Sequence, residues 1–408
     1  MKEFVADTMG ALGRRIGIVY PAGLLSVTPS MVGLVQSLTN YGYTVDLYLC
    51  FEPEIVEKTF PGKNVQVYIL PQMHGVGGRI KLWLSGFRYL RKQCQRFHYN
   101  AIIGVDAWGL LLASIPAKME KIPIVYLSLE ILFWQTASTV YLKILKLLER
   151  LCNRWADFSI VQDRDRAEIL SKENNIPLEK IQLLPNAPFG PASVYKTNYL
   201  HETLMIDPER TIILYLGNIH SSLLSEELAR NARTWTSDLA MVFHCKSRVS
   251  PSADKYIESF ISQVDGCQVY LSDQPVLPYR IRDLVASARI GVALYGHKAT
   301  DLNNYTVGLS SGKIAHYLQC GLPVIVSNLP TLKRLIDTYN CGICVEKVEE
   351  VPVAIETIIC DYVRYSENAI ICFQKEFSFD LHMAPILARL DKNHYRPRSE
   401  STIGRVNM

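Results

Sequence analysis

Short apolar runs alternate along the chain with segments whose apolar residues recur at helical spacing. In the first half, the runs that predict strands cover 15–21, 44–50, 65–70, 101–106, 122–130 and 158–163. Helical segments such as 30–43 lie between most of these strands. Continuous apolar strands that alternate with helices are typical of a parallel sheet that is covered on both faces. We therefore predict an α/β domain built on a doubly wound parallel sheet.

The same alternation begins again after residue 200. Its predicted strands cover 211–218, 239–245, 267–273, 290–296 and 323–327. Residues 185–203 are rich in Pro, Asn and Gly and lack a helical period, so they are predicted to link the two halves. The sequence thus predicts two Rossmann-like domains that face each other across a cleft. The predicted boundaries are 1–195 for the N-terminal domain, 196–375 for the C-terminal domain, and 376–408 for a final helix and a frayed tail.

Length, charge and cysteine content narrow the class of protein. The chain has 408 residues, which suits two domains, and its net charge of +4 falls well short of a nucleic-acid-binding signature. Its ten cysteines are scattered, mostly in apolar runs, and this distribution is typical of a reducing compartment. The sequence has no apolar run long enough to cross a membrane and no signal-peptide core at its start. We expect a cytoplasmic protein.

Two short motifs suggest metal or redox chemistry, but their contexts favour structural roles. Asp163-Arg164-Asp165 has the DxD form of metal-dependent transferases, yet it follows a predicted strand and begins a helix, where carboxylates suit the helix dipole. Cys341 and Cys344 have CxxC spacing, but the chain has no second such pair. The segment CGICVE that contains them is predicted to be a turn followed by a strand. The histidines show no HxxxH or HExxH spacing. We expect neither a metal ion nor another cofactor.

The stretch SSGKIAHYLQCGLPVIVS places Ser-Ser-Gly-Lys at the start of a short predicted helix. Ser310 or Ser311 is suited to cap this helix, and Gly312 lets a ligand approach the backbone closely. The helix dipole favours an anion at this end, and Lys313 adds a full positive charge. His316 lies on the same helical face as Lys313. The alternative is that Lys313 is an ordinary solvated surface residue.

The same stretch resembles the donor-site segment of GT-B glycosyltransferases of the retaining family 4 type, in which a short helix leads into a G-x-P-V turn and a strand. Residues 149–187 resemble the end of that family's N-terminal domain. TIILYLGNIH resembles its first C-domain strand and glycine loop, and LVASARIGVALY resembles the segment before its donor site. The resemblance covers most of residues 14–375.

The resemblance implies an enzyme that moves a sugar from a nucleoside-diphosphate sugar to a glycan or lipid-linked acceptor, with retention and without a metal. Polysaccharide or glycoconjugate biosynthesis is the setting that it suggests. The donor diphosphate is expected over residues 310–313 and beside Gly217 and Asn218. Lys246 is expected to supply basic charge that the glycine loop lacks, and His316 is expected near the ribose or phosphate.

Two departures from the family keep other functions open. The first is that the arginine and lysine that usually follow the glycine loop are missing after Gly217. The second concerns a pair of glutamates. Many members carry a pair of glutamates at the positions that hold Gly308 and His316 here. Their loss favours an inactive partner or sensor, and a nucleotide-sugar epimerase on the same fold is a further alternative. The candidate catalytic residues are Lys313 and Glu130. Lys313 is expected to stabilise the departing diphosphate. Glu130, at the end of a predicted strand, is expected to orient an acceptor hydroxyl, and the alternative is a solvated or helix-capping glutamate.

Residues 78–100 have the composition of a helix that lies on a membrane surface. The segment contains six basic residues and no acid. One predicted helical face carries the apolar residues Trp83, Phe87, Leu90, Cys94 and Phe97, and the other carries Lys81, Arg88, Lys92 and Arg96. Such a helix can bind an anionic membrane, which would place the protein at the inner face. The alternative is a domain helix with a solvated basic face.

Overall fold

The structure is a computed structural model that describes residues 14–72, 75–245, 249, 254–296 and 302–394. Within these residues, the N-terminal domain contains a seven-stranded parallel sheet in the order β3-β2-β1-β4-β5-β6-β7. Its strands are β1 (Arg15–Tyr20), β2 (Thr44–Leu49), β3 (Val65–Ile69), β4 (Ala101–Val105), β5 (Ile124–Leu127), β6 (Phe158–Val161) and β7 (Ile181–Leu183). The central strands β4, β5 and β6 are wholly buried, as their continuous apolar sequences predict.

Helices cover both faces of this sheet. They are α1 (Pro29–Asn40), α2 (Pro53–Thr59), α3 (Gly75–Lys81), α4 (Phe87–Arg96), α5 (Asp106–Met119), α6 (Val140–Trp155) and α7 (Arg164–Asn174). A π-helical turn at Leu82–Gly86 joins α3 to α4 without a break. Local signals start several of these helices: prolines lie in the first turns of α1 and α2, and the Asp163 carboxylate caps α7.

The C-terminal domain repeats this plan with a six-stranded parallel sheet among the described residues, in the order β10-β9-β8-β11-β12-β13. Its strands are β8 (Thr211–Leu216), β9 (Leu239–His244), β10 (Val269–Ser272), β11 (Ile290–Ala293), β12 (Val324–Ser327) and β13 (Gly342–Val345). Its helices are α8 (Tyr199–Leu204), α9 (Ser225–Ala232), α10 (Lys255–Gln263), α11 (Ile281–Ala286), α12 (Leu302–Tyr305), α13 (Gly312–Gln319), α14 (Pro330–Tyr339), α15 (Val351–Cys360), α16 (Tyr362–Cys372) and α17 (Phe379–His394).

The predicted fold class is confirmed, with differences at the edges of elements. Most strands end one to three residues before their predicted runs do, whereas β12 ends with its run at Ser327. The hydrophobic pattern does not predict the short edge strand β7, because only Ile181 in it is buried. The predicted linker ends earlier than expected, because Tyr199–Leu204 forms α8.

Strand order determines where a ligand can enter each domain. In both sheets the order reverses at the first strand, between β1 and β4 and between β8 and β11. The crevice at such a switch point, beyond the carboxyl ends of the strands, is where open α/β sheets bind ligands. Loops that follow β5, β8 and β11 therefore belong to the surface on which a functional site is expected.

The C-terminal helix α17 returns to the N-terminal domain and packs on α1. Its first residue, Phe379, lies so close to Gly33 of α1 that a Cβ atom there would come within 2.5 Å of the ring. Near its other end, the Tyr43 hydroxyl donates a hydrogen bond of 2.9 Å to Asp391. Helix α17 thus ties the end of the described chain to the first domain. The predicted frayed tail lies outside the described residues from 395 onward.

No helix in the described part of the chain is both long enough and apolar enough to cross a membrane.

Candidate functional site

A cleft of about 500 Å³ lies between the two domains. It is lined by side chains from both of them, among them Val27, Glu130, Arg166, Asn186, Gly217, Asn218, Tyr295, Ser310, Ser311, Gly312, Lys313 and His316. The C-terminal domain contributes the loop after β8 and the start of α13, and the N-terminal domain contributes the loop after β5 and one side chain of α7.

Helix α13 begins at Gly312 and directs its N-terminus into the cleft. Ser311 occupies the capping position, but its side chain makes no capping hydrogen bond. Its hydroxyl lies 2.7 Å from that of Tyr295, and the Ser310 hydroxyl donates to the Val307 carbonyl at 3.0 Å. The prediction that a serine side chain caps this helix is therefore wrong. The partial positive charge of the helix N-terminus faces the cleft without a side-chain cap.

The Lys313 ammonium is buried at this helix entrance. It lies 4.8 Å from the centre of the Tyr215 ring and 5.1 Å from that of Tyr295, and both rings attract a cation through their faces. Gly217, the first residue after β8, has a φ of +144°, and a Cβ atom there would come within 3.3 Å of the ammonium nitrogen. The glycine loop and the lysine therefore meet at one point of the cleft.

Gly312 has a role that differs from its predicted one. A Cβ atom at this position would lie 2.8 Å from Pro29 and 3.2 Å from the Asn186 side chain. The absence of a side chain at Gly312 therefore allows the N-terminal domain to pack closely against the start of α13. The contact of Gly312 with a ligand remains a prediction. Asn186 strengthens this contact, because its amide donates to the Ser310 carbonyl at 3.1 Å and its oxygen accepts from the Ser30 backbone at 3.2 Å.

Arg166 brings a second buried cation to the cleft from α7. Its side chain is 1% exposed, and its guanidinium donates to the Leu129 carbonyl at 2.7 Å and to the Ser310 hydroxyl at 3.4 Å. The Glu130 carboxylate lies 3.7 Å away and is 73% exposed toward the cleft. The Nε atom of Arg166 has no hydrogen-bond partner among the described residues. Sequence reasoning missed this arginine, because nothing in its local pattern distinguishes it from the exposed Arg164.

Asp106 lies directly after β4 and contacts the loop that carries Glu130. Its carboxylate accepts hydrogen bonds from the backbone amides of Leu129 and Glu130, at 2.8 and 3.1 Å, and its own φ is +54°. Burial raises the pKa of Asp106 to about 7, and the negative charge of Glu130 contributes in the same direction. The sequence feature that could identify Asp106 is its position as the last residue of the predicted strand 101–106. Asp106 is not among the site residues that the sequence predicts.

His316 also borders a smaller cavity of about 230 Å³ that adjoins the cleft. Tyr279 and Arg282 line the same cavity. His316 therefore lies between the cleft and this smaller cavity. In the same domain, the Asn218 backbone carbonyl accepts a 2.7 Å hydrogen bond from the Tyr215 hydroxyl, which holds the glycine loop against β8.

The comparisons with known proteins agree with this geometry. Residues 281–378 match the family model of the glucosyltransferase 3-like C-terminal domain. The structure is similar to that of Alr3699/HepE from Anabaena in complex with UDP and glucose, with a TM-score of 0.69 and 15% identity over 93% of this chain and 100% of that one. It is also similar to WaaG, a glycosyltransferase involved in lipopolysaccharide biosynthesis, with a TM-score of 0.61 and 13% identity over 93% of this chain and 99% of WaaG. The chain has a GT-B glycosyltransferase fold.

A third GT-B relative is a protein from Listeria monocytogenes assigned as a UDP-N-acetylglucosamine 2-epimerase. Its TM-score is 0.63 and its identity 9%, over 95% of this chain and 98% of that one. No curated protein has a sequence that matches this chain.

The GT-B cleft brings together almost all of the residues predicted from the sequence. Glu130, Gly217, Asn218, Ser310, Ser311, Gly312, Lys313 and His316 all line it. Lys246 lies outside the described residues. The roles assigned to these side chains remain predictions, but their common location follows from the two switch points that face each other.

Both carboxylates of the Asp163-Arg164-Asp165 motif make contacts that stabilise the fold. The Asp163 carboxylate accepts a 2.8 Å hydrogen bond from the Arg166 backbone amide at the start of α7. Asp165 pairs with Arg334 of the C-terminal domain. Within the ranges that the structure describes, no cluster of three or more His, Cys, Asp or Glu side chains could hold a metal ion.

Proposed function

We propose that this protein transfers a sugar from a nucleoside-diphosphate sugar to a glycan or lipid-linked acceptor. The observation that carries the proposal is the meeting of the Lys313 ammonium, the Gly217 loop and the N-terminus of α13 in one cleft. A diphosphate needs positive charge and close backbone approach, and these three features supply both. Arg166 adds a second cation from the opposite domain.

In this proposal, the protein stabilises the departing diphosphate with its own cations rather than with a metal ion. Lys313 and the amides at the start of α13 neutralise the negative charge that develops as the bond to the sugar breaks. Because these groups are already held in place by Tyr215, Tyr295 and the helix, little reorganisation accompanies the reaction.

The acceptor approaches from the N-terminal domain, where Glu130 lines the cleft. Its exposed carboxylate can accept a hydrogen bond from a sugar hydroxyl, and Arg166 limits the movement of that carboxylate from one side. We propose that the acceptor oxygen bonds to the anomeric carbon on the face that the diphosphate leaves, which retains the configuration. The hydroxyl proton passes to an oxygen of the departing diphosphate.

UDP-glucose is the donor to test first. HepE has been crystallised with UDP and with glucose, and the C-terminal domain of this chain matches a glucosyltransferase 3-like domain. Both observations support a glucosyl group, and the HepE complex supports a uridine nucleotide. Polysaccharide or glycoconjugate biosynthesis is the corresponding setting.

An epimerase is the second candidate, supported by the likeness to the Listeria protein. An epimerase converts the donor sugar without an acceptor, so its product is an epimer of the sugar that was supplied. A binding partner or sensor is the third, because Gly308 and His316 replace the two glutamates seen in related transferases. It would bind a nucleotide without turnover.

Calorimetric titration of the purified protein with UDP, GDP, dTDP and ADP, in the presence of a chelator, tests the donor cleft. We expect UDP to bind more tightly than the other diphosphates. UDP-glucose is then incubated with the protein, with and without a mixture of sugar and lipid-linked acceptors, and the products are identified by mass spectrometry and NMR. Transfer that requires an acceptor supports the proposal. Epimerisation without an acceptor supports the second candidate, binding without turnover supports the third, and no binding contradicts the donor cleft.

A further inference from the structure

A large apolar surface lies on the N-terminal domain, outside the cleft between the domains. It is formed by the helical segment 75–96 and by α6, and we call it the α3–α6 surface. Its exposed apolar side chains include Ile80, Trp83 and Leu84 from the first segment and Ile144, Leu147 and Leu148 from α6. Several of them border a shallow groove of about 770 Å³. Soluble monomers rarely leave so large a contiguous apolar patch exposed unless it contacts something.

Helix α6 is apolar on its outward side as well as on its inward side. Inward, Leu145 and Cys152 pack in the domain core. Outward, Ile144, Leu147 and Leu151 recur at helical spacing and are 51%, 52% and 45% exposed. An ordinary domain helix places polar residues on its solvent side. The outer face of α6 therefore lacks the composition of a surface that only water covers.

The exposed charges within the two segments that form the α3–α6 surface are of one sign. Residues 75–96 contain six basic side chains and no acidic one. In α6 the acid Glu149 is fully buried and paired with Lys146 at 3.1 Å, so the exposed charges of that helix are Lys143 and Arg154. Arg79 lines the groove itself, with its guanidinium 4.5 Å from the centre of the Tyr141 ring. An apolar patch with a basic rim complements an anionic surface.

We propose that the α3–α6 surface docks on an anionic lipid bilayer. Trp83 and Tyr141 are 43% and 36% exposed, and such amphipathic rings favour the boundary between lipid and water. The apolar side chains of α6 insert among the lipids, while the basic rim contacts their head groups. A second copy of this chain is a poor occupant, because a symmetric contact would bring the two basic rims together.

This surface differs from the one that the sequence predicted. The predicted apolar face of residues 78–100 included Leu90 and Cys94, but these side chains are 1% and 2% exposed and pack in the domain core. Helix α4 is thus a domain helix with a solvated basic face. Of the predicted apolar face, Trp83 is exposed and belongs to the α3–α6 surface. The other exposed apolar side chains of this segment are Ile80 and Leu84, which were not predicted, and α6 supplies the rest of the surface.

The α3–α6 surface lies next to the acceptor side of the cleft. The loop that carries Glu130 leads directly into α6 at Val140. Trp108, two residues after Asp106, donates a 2.9 Å hydrogen bond from its indole to Tyr141. Docking on a bilayer would therefore bring the Glu130 side of the cleft toward the lipid, where a lipid-linked acceptor is found. The docking itself does not depend on the proposed function.

Sedimentation with vesicles tests the docking without any donor or acceptor. The probes are vesicles of phosphatidylcholine alone and of equal parts phosphatidylcholine and phosphatidylglycerol. The test variant is Ile144→Glu with Leu148→Glu. The matched control is Val353→Glu with Val363→Glu, which alters two exposed valines of the C-terminal domain. We expect the wild type to bind the anionic vesicles preferentially, and added salt to weaken that binding. The test variant should bind about tenfold more weakly and the control should be unchanged.

A charge variant, Lys81→Gln with Lys143→Gln, tests the basic rim separately and should also bind anionic vesicles about tenfold more weakly. Circular dichroism and UDP titration of every variant establish that it is folded. The proposal is overturned if the wild type does not sediment with anionic vesicles, or if the test variant binds them as well as the control does. It is also overturned if size-exclusion chromatography shows a dimer that the test variant abolishes, because a second copy would then cover the surface.

Discussion

Arg166 of the N-terminal domain donates a hydrogen bond to the Ser310 hydroxyl of the C-terminal domain at 3.4 Å. The two residues are 144 positions apart in the chain, and the contact lies beside the entrance of α13. The same guanidinium is anchored to the Leu129 carbonyl at 2.7 Å. A buried cation thus connects the loop that carries Glu130 with the helix that carries Lys313, and it ties the two walls of the cleft together.

Replacing Arg166 by Gln should destabilise the protein, because Leu129 and Ser310 lose a buried donor. We expect the free energy of unfolding to fall by about 2 kcal/mol, as for the loss of a hydrogen-bond donor that leaves buried acceptors unsatisfied. Urea denaturation followed by circular dichroism measures this change. The control is Arg164→Gln, whose side chain is 82% exposed on the same helix and should change stability by less than about 0.5 kcal/mol. Equal stability of the two variants would contradict the structural role of Arg166.

Replacing Lys313 by Ala should weaken UDP binding while leaving the fold intact. A hydrogen bond to a charged group contributes about 1.5–3 kcal/mol, so the dissociation constant should rise by about 10- to 100-fold. Calorimetric titration provides the measurement. Lys333→Ala serves as the control, since that lysine is exposed on α14 and pairs with Asp337. An unchanged affinity in the Lys313 variant would remove this residue from the donor site.

Replacing Gly217 by Ala should also weaken UDP binding, but for a steric reason. The added methyl group would meet the Lys313 ammonium at 3.3 Å and displace it. We expect an affinity loss of about tenfold. Gly266→Ala is a useful comparison, because Gly266 also has a positive φ but has open space around its Cβ position. If both alanine variants bound UDP as the wild type does, the glycine loop would not form part of the nucleotide site.

The pKa of Asp106 predicts a specific dependence of stability on pH. The folded-state value of about 7 lies above the ordinary 3.8, so between these values the folded protein binds more protons than the unfolded chain. The free energy of unfolding therefore falls as the pH rises through this range. Asp106→Asn keeps an oxygen acceptor for the Leu129 amide but cannot ionise. At pH 8 this variant should be about 2 kcal/mol more stable than the wild type.

Urea denaturation of both proteins at several pH values between 4 and 8 checks this prediction. The difference in stability should grow toward higher pH and should nearly vanish near pH 4, where Asp106 is protonated in the folded state. A difference that stays constant over the whole range would indicate a packing effect and not a titration.

Most of the architecture could be read from local pattern. Strands such as Ala101–Val105 are wholly buried and therefore continuously apolar, and helices such as α1 and α7 begin at recognisable proline or aspartate signals. Two such series of alternating elements lead to two doubly wound sheets, and the switch points then place the loop at Gly217 and the helix at Gly312 on one cleft. These inferences depend on neighbouring residues, whose spacing the sequence displays directly.

The contacts between the domains and between distant helices did not follow from that pattern. Arg166 and Arg164 are two residues apart in similar sequence surroundings, yet one is 1% exposed and the other 82%. Gly312 faces Pro29 of the other domain, and Ile144 of α6 joins Trp83 in an exposed surface, only because the folded chain brings these elements together. Burial of a charge and exposure of an apolar face depend on which element packs on which, and that is a property of the assembled layers rather than of any single segment.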